Sequence, residues 1–348
     1  MTLDIAYIAR SFTAVENRDP KADELLRRAY AETHVIPVIG LTGPAGAGKS
    51  TLLDHLAVHW AESGEHVAVI AVDPSSPYTG GAVLGDRVRM DRASGHPRVF
   101  VRSLSSRGHL GGLSRVVHDM VTVCGVLGFS RVIVETVGSG QSDIEVADLA
   151  DCVVVVSVPG LGDHVQAAKA GILEIGDVYV VNKADLPDAE TVVGNLLTNV
   201  GLSYPGDGGV NPSSISPRGA LKSSSAQHER HGQPGVEPTY WRPPVLRVVA
   251  RQGDGVPELA AACDAFLVWQ HETVRDTNRR AGRVRRHLLR LAIAELSRTA
   301  GDRAQAAALD DGARALSSGR CTPDEAAMEC LRALCAATLG ADAGIRRD

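Results

Sequence analysis

The chain has 348 residues, 44% hydrophobic and 22% charged, an ordinary globular composition that excludes a wholly disordered or fibrous protein and allows two domains, or one large domain with appended elements. Its 36 basic residues against 41 acidic ones leave a formal net charge of −5, so there is no basic excess to support bulk nucleic-acid binding. No apolar run approaches the roughly 18 residues of a membrane span, and the opening MTLDIAYIARS carries Asp4 and no sustained apolar core, so neither a span nor a signal peptide is expected and the protein is expected in the cytoplasm.

The first 34 residues read as short helices, since ADELLRRAYAE places Leu25, Leu26 and Tyr30 at helical intervals among charges. Seven apolar, β-branched runs follow: Val35 to Leu41, Val67 to Val72, Arg98 to Val101, Val132 to Val134, Cys152 to Val158, Val178 to Val181 and Val245 to Val249. Each is followed by a Gly-rich turn or an amphipathic segment, the pattern of βα units in a mostly parallel sheet with helices on both faces. Between Ser203 and Pro244 the composition turns to Gly, Pro, Ser, Asn and His, which reads as a disordered polar insertion. From about Pro257 the chain becomes rich in Ala, Leu and Arg at helical spacing. There Thr322-Pro323-Asp324-Glu325 combines a cap residue, a first-turn Pro and the Glu of a capping box. The expected organisation is a helical segment over 1–34, an α/β domain over 35–270 interrupted at 203–244, and a helical region over 271–348. The six cysteines include no C-x-x-C pair and sit mostly in apolar stretches, so buried free thiols are expected.

The strongest chemical signal is Gly43-Pro44-Ala45-Gly46-Ala47-Gly48-Lys49-Ser50, followed by Thr51, which fits G-x-x-x-x-G-K-[ST] and follows a predicted strand. Such glycines let successive backbone N–H groups wrap a phosphate, the Lys bridges the β- and γ-phosphates, and the Ser hydroxyl binds Mg²⁺. Asn182-Lys183-Ala184-Asp185 ends another predicted strand. A carboxylate there can accept both the N1 and N2 protons of guanine, a donor pair that adenine lacks, so GTP is expected rather than ATP. Between the two motifs, Val134-Glu135-Thr136-Val137-Gly138 is a strand ending in an acid for the magnesium shell and a Gly whose N–H can meet the γ-phosphate. Asp73, at the end of the second run, and Asp86, in the Gly-rich stretch after it, can approach magnesium directly or through water, or cap a turn.

The runs AVDPSSPYTGGAVLGDRVRM, SSRGHLGGLS, ETVGSGQSDIEVADLADC, PGLGDHVQAAKAGILEIGD, NKAD and WRPPVLRVVARQGDGVPEL together resemble the MeaB/MMAA (ArgK-type) family of P-loop GTPases, chaperones of adenosylcobalamin-dependent acyl-CoA mutases. The resemblance implies a SIMIBI-type P-loop fold. It also implies nucleotide contacts at Gly43 to Thr51, a magnesium neighbourhood of Ser50, Asp73, Asp86 and Glu135, and base recognition by Asn182, Lys183 and Asp185, with Val249-Ala250-Arg251 in the loop that closes over guanine. Lys49, Asp86, Glu135 and Gly138 would serve the hydrolytic step, and a segment matching Gly162 to Lys169, with Asp163 and Lys169, would relay the nucleotide state to the mutase. The family also implies a homodimer formed through C-terminal helices. The sequence departs from the family pattern at His164, where an acidic residue is usual, in the start of the last guanine loop at Val249-Ala250, and in the length of the 203–244 insertion.

Hydrolysis in this reading is positioning plus charge neutralisation, and no glutamine occupies the place that orients water in small GTPases, so slow intrinsic turnover accelerated by the partner is expected. Other readings are a related metal-insertion GTPase or a nucleotide-bound scaffold with little turnover. The first needs clustered soft ligands, whereas the 12 histidines are dispersed and His228 and His231 fall in the polar insertion. A small-molecule kinase would have no need of the guanine-type segment Asn182 to Asp185. The arginines from Arg279 to Arg290 read as the solvated or dimer-facing side of an amphipathic helix.

Overall fold

The computed structural model describes residues 3–31, 36–74, 90–106, 112–136, 146, 148–160, 175–203 and 241–272, and scattered positions from 285 to 333. It divides into a unit of Met1–Arg279 and a unit of Arg280–Asp348. In the first unit the strands are β1 (Val38–Thr42), β2 (Val67–Pro74), β3 (Val99–Ser106), β4 (Arg131–Glu135), β5 (Cys152–Ser157), β6 (Val178–Asn182) and β7 (Val245–Val248). The helices are α1 (Ile5–Asn17), α2 (Pro20–Ala31), α3 (Lys49–Glu62), α4 (Asp91–Gly95), α5 (Gly112–Cys124), α6 (Ala189–Ser203) and α7 (Val256–Glu272).

The seven strands form one sheet in the order β3-β2-β4-β1-β5-β6-β7, and every pairing is parallel. β1, β4, β5 and β6 are short, apolar, β-branched runs buried on both faces, as parallel strands under helices require, whereas the edge strand β7 exposes Arg247. Alternate residues feed two cores. Ile70, Val132, Val153 and Val181 pack with Phe12 of α1, Met120 of α5 and Leu196 of α6. Leu41, Val69, Ile133, Val154 and Val180 pack with Leu52 and Leu56 of α3, Met90 beside α4, and Leu259 and Phe266 of α7. The expected strands and covering helices are therefore present, with shifted ends. β3 runs on through Arg102 to Ser106 because it is an edge strand, where the Arg102 guanidinium reaches Glu16 of α1.

Polar side chains fix the amino edge of the sheet. Asp151, just before β5, accepts the Val38 N–H at 2.9 Å, and Asp177, just before β6, accepts the Val153 N–H at 2.9 Å. Ser130, just before β4, accepts the His66 N–H at 2.9 Å. Each thereby satisfies a strand-entry donor that the ladder leaves over and pins the register of the neighbouring strand. At the same edge, buried Arg131 makes a two-point contact with Glu65, at 2.8 and 2.9 Å, and reaches Asp264 of α7 at 2.8 Å. Its guanidinium lies 4.1 Å from the centre of the Trp60 ring, and the Trp60 indole donates to Asp264 at 3.3 Å. From Trp241 the chain is anchored again: the indole donates to the Asp177 carbonyl at 2.8 Å and the ring packs on Phe266 and Trp269.

Cys124, Cys152 and Cys263 are buried, and burial pushes the Cys124 thiol up. No described helix is long and apolar enough to cross a membrane. In the second unit the capping box forms, with Glu325 accepting the Thr322 N–H at 2.8 Å and Thr322 Oγ1 accepting the Glu325 N–H at 3.3 Å. Cys330 Sγ donates to the Ala308 carbonyl at 3.1 Å. Residues 204–240, the core of the expected insertion, lie outside the described residues.

Arg131→Ala leaves Glu65 and Asp264 facing each other without their shared cation. The expected loss is about 3 kcal/mol, the low end for breaking a buried ion pair because Asp264 is half exposed, read as a lower urea midpoint at unchanged m-value.

Candidate nucleotide site

β1 is flanked by β4 on one side and β5 on the other, so connections diverge around its carboxyl end, the position where open α/β sheets bind ligands. There β1 pairs Leu41 with Glu135, and β6 pairs Asn182 with Val248 of β7. The Gly43 loop, the Glu135 end, the Asn182 segment and the 249–254 turn thus leave the sheet along one edge.

The Gly43–Gly48 loop joins β1 to α3. Gly43 has φ +140°, and a Cβ there would lie 2.2 Å from the Val156 carbonyl oxygen, so neither the backbone conformation nor the space admits a side chain. Gly48, with φ +80°, is the N-cap of α3, and a Cβ on it would meet Asn182 Nδ2 at 2.5 Å. The N-cap Gly48 has no side chain to cap α3, and the positive end of the helix dipole faces the loop, a position that favours an anion. Lys49 is buried, and its ammonium donates to the carbonyls of Gly43 at 2.8 Å and Pro44 at 3.0 Å, which hold it against the loop. Ser50 Oγ donates to Glu135 Oε1 at 2.8 Å, joining the start of α3 to the end of β4. Glu135 is itself buried, and Thr136 beyond it is buried with its N–H on the Leu41 carbonyl at 3.3 Å. A hydroxyl beside a carboxylate at a helix N-terminus is an oxygen donor set suited to a hard divalent cation.

Asn182 is 2% exposed and connects three loops. Its Nδ2 donates to the Ala47 carbonyl at 2.8 Å, and its Oδ1 accepts the Lys183 N–H at 2.8 Å and the Ala250 N–H at 3.0 Å. Lys183 has φ +57° and donates from Nζ to the Gly46 carbonyl at 3.0 Å. Asp185 is exposed two residues further on. Val249 opens a turn closed by its own N–H on the Asp254 carbonyl at 3.0 Å, with Ala250 buried and Arg251 exposed.

The structure thus brings together Gly43 to Thr51, Glu135, Asn182, Lys183, Asp185 and Val249 to Arg251. Asp73 ends β2, opposite Ser105 and two residues past Ala71, the partner of Glu135 in the ladder; its side chain lies outside the described residues. Asp86, Gly138, Asp163 and Lys169 also lie outside them. The side chain of Asn182, a residue expected at the base, also engages backbone groups of all three loops. The sequence carries no sign of that, because Ala47 and Ala250 contribute only main-chain atoms.

A family model described as Methylmalonyl Co-A mutase-associated GTPase MeaB matches residues 8–305. A Pyrococcus abyssi protein named as a GTPase is 43% identical over 251 residues, which cover 72% of this chain and 68% of the relative. The GTPase ArgK of Escherichia coli is 41% identical over 186 residues, 52% of this chain and 56% of the relative. A solved LAO/AO transport system kinase shares the fold, with a TM-score of 0.62 over 94% of this chain and 92% of its own at 23% identity.

Asn182→Ala removes three hydrogen bonds at about 1 kcal/mol each, so the loops should part and GDP affinity should fall roughly 100-fold, about 3 kcal/mol, measured by calorimetric titration.

Proposed function

Because the chain belongs to the MeaB family of methylmalonyl-CoA mutase-associated GTPases, we propose that its GTP cycle gates the loading, protection and reactivation of adenosylcobalamin on a cobalamin-dependent acyl-CoA mutase. The chain binds guanine nucleotide and hydrolyses GTP. The observation that carries the assignment of the site is the Asn182 junction, which sets a phosphate loop, a guanine-type segment and a closing turn on one sheet edge.

In this reading backbone N–H groups of the Gly43 to Thr51 segment, Pro44 excepted, wrap the phosphates, and Lys49, oriented by the Gly43 and Pro44 carbonyls, brings its charge to the transferring phosphoryl group. The Asp185 carboxylate accepts the N1 and N2 protons of guanine, while the Lys183 stem lies along the base and Val249 to Arg251 close over it. Ser50 and Glu135 would hold Mg²⁺, and Asp73 and Asp86 are the further acids assigned to its neighbourhood. The ion, when bound, supplies charge neutralisation at the phosphoryl oxygens. Gly138 begins the segment that answers to the γ-phosphate.

The output is conformational: the GTP and GDP states present different surfaces to the mutase, and the segment Gly162 to Lys169, with Asp163 and Lys169, relays the difference. We assign 1–34 to an N-terminal helical segment, 35–270 to the G domain and 271–348 to a helical region through which two copies pair. Leu288, Leu289, Met328 and Leu331, all exposed in the second unit, support the pairing.

The test is magnesium-dependent hydrolysis by the full chain with and without an adenosylcobalamin-dependent acyl-CoA mutase. GTP turnover should rise at least about tenfold with the mutase, a threshold well below the roughly 10³- to 10⁵-fold that a partner-supplied arginine contributes. Asp185→Asn should move the preference from GTP to XTP, which offers an acceptor where GTP has an amino group. A rate that no mutase alters would remove the gating role and leave the GTPase.

A further inference from the structure

His55 stands four residues after Thr51 on α3, on the helix face that carries Thr51, the last of the expected phosphate contacts. Two other elements meet it. Gly253, in the turn after β7, comes so close that a Cβ there would be 3.0 Å from His55 Nδ1 and 3.3 Å from Cε1. Arg92 of α4 places Nη1 2.9 Å from Nδ1 and 3.3 Å from Nε2 of the same ring. A guanidinium only donates, so the imidazole accepts and is the neutral form. Burial first, and then the charge of Arg92, hold His55 below the usual histidine range.

Arg92 is fixed from behind. The carboxylate of Asp54, buried in α3, accepts the Ala93 N–H at 2.7 Å. It caps α4 from another helix, in place of Met90, whose side chain makes no cap hydrogen bond. Met90 and Ala93 are fully buried, so α4 is locked onto α3, and His55 is held between Arg92 and Gly253.

The turn that meets His55 is closed on itself. Val249 donates to the Asp254 carbonyl at 3.0 Å, and its own carbonyl accepts the N–H of Gln252 at 2.9 Å and of Gly253 at 3.0 Å. A shift at Gly253 is therefore carried to Val249 and Ala250, and Ala250 donates to Asn182 Oδ1. No other described side chain comes within 4 Å of a Cβ at Gly253.

We infer that His55 is a positioning residue for guanine recognition: it fixes the 249–254 turn against the phosphate helix, so that the base-closing loop keeps its register with Asn182 and Asp185. The inference rests on the reading of Val249 to Arg251 as that loop and adds a residue outside every nucleotide motif.

The experiment uses the full chain and measures kcat and KM for GTP and for ITP, which lacks the 2-amino group, together with the dissociation constant of a fluorescent GDP. His55→Ala should raise the GTP KM and the GDP dissociation constant about tenfold and lower the GTP-over-ITP preference several-fold, the change falling on KM and not on kcat. His55→Gln, which still offers Arg92 an acceptor, should restore KM to within about threefold of the parent. Simple loss of folded protein would lower apparent kcat and leave KM and base preference alone. Unchanged KM and base preference in His55→Ala, with the preference lost in Asp185→Asn, overturns the role of His55 alone. A base preference that survives in Asp185→Asn as well overturns the guanine-site reading and this inference with it.

Discussion

One carboxamide holds the site together. Asn182 has no charge and is almost completely buried, yet it bonds to the phosphate loop, to its own segment and to the turn after β7. Its Nδ2 stands 2.5 Å from where a Cβ on Gly48 would be, so the glycine that starts the phosphate helix is also what lets the base segment approach. Removing either group separates loops that one nucleotide has to span. The chemistry of the site depends on that closeness, because charge stabilisation by amides and Lys49 acts only on a phosphate placed within hydrogen-bond reach.

The rest of the sheet serves this arrangement. At the amino edge, Asp151, Asp177 and Ser130 take the entry N–H groups of neighbouring strands, and Arg131 ties β4 to α3 and α7 through Glu65, Asp264 and Trp60. With registers pinned there, Leu41, Glu135 and Asn182 arrive together at the carboxyl edge. Ser50 then reaches Glu135 across the start of α3, so phosphate and cation chemistry share one corner. The amino edge is built from paired and capped polar groups, whereas the carboxyl edge presents the start of α3, whose N-cap is a glycine, and the exposed carboxylate of Asp185. The first favours rigidity and the second leaves groups for a ligand.

What was legible in the sequence follows from this division. The central strands β1, β4, β5 and β6 are legible as apolar, β-branched runs because they are buried on both faces, and the Gly43 to Ser50 motif declares its strand and helix through its own spacing. The ends were less visible. β4 includes Arg131, a charge that reads as a strand boundary until Glu65 and Asp264 are brought to it, and β3 includes Arg102 and three serines because one of its edges is unpaired. The Asn182 junction was hidden because its partners on the Ala47 and Ala250 loops are main-chain atoms. Asp54 and His55 were hidden because nothing in the helix LLDHL indicates that Ala93, Arg92 and Gly253 fold against it. Thr322 and Glu325 were legible because their capping box lies within four consecutive residues. Local hydrogen bonds leave a trace in sequence, and those set by topology do not.

Hydrogen exchange on the full chain, with GTP or ATP at equal concentration and magnesium present, tests most directly whether a single guanine nucleotide bridges the three loops. The expected result is that GTP slows exchange together at 43–51, 182–185 and 249–253, and that ATP at the same concentration does not protect the last two segments. Protection confined to 43–51, or equal protection by both nucleotides, would contradict a guanine site joined through Asn182.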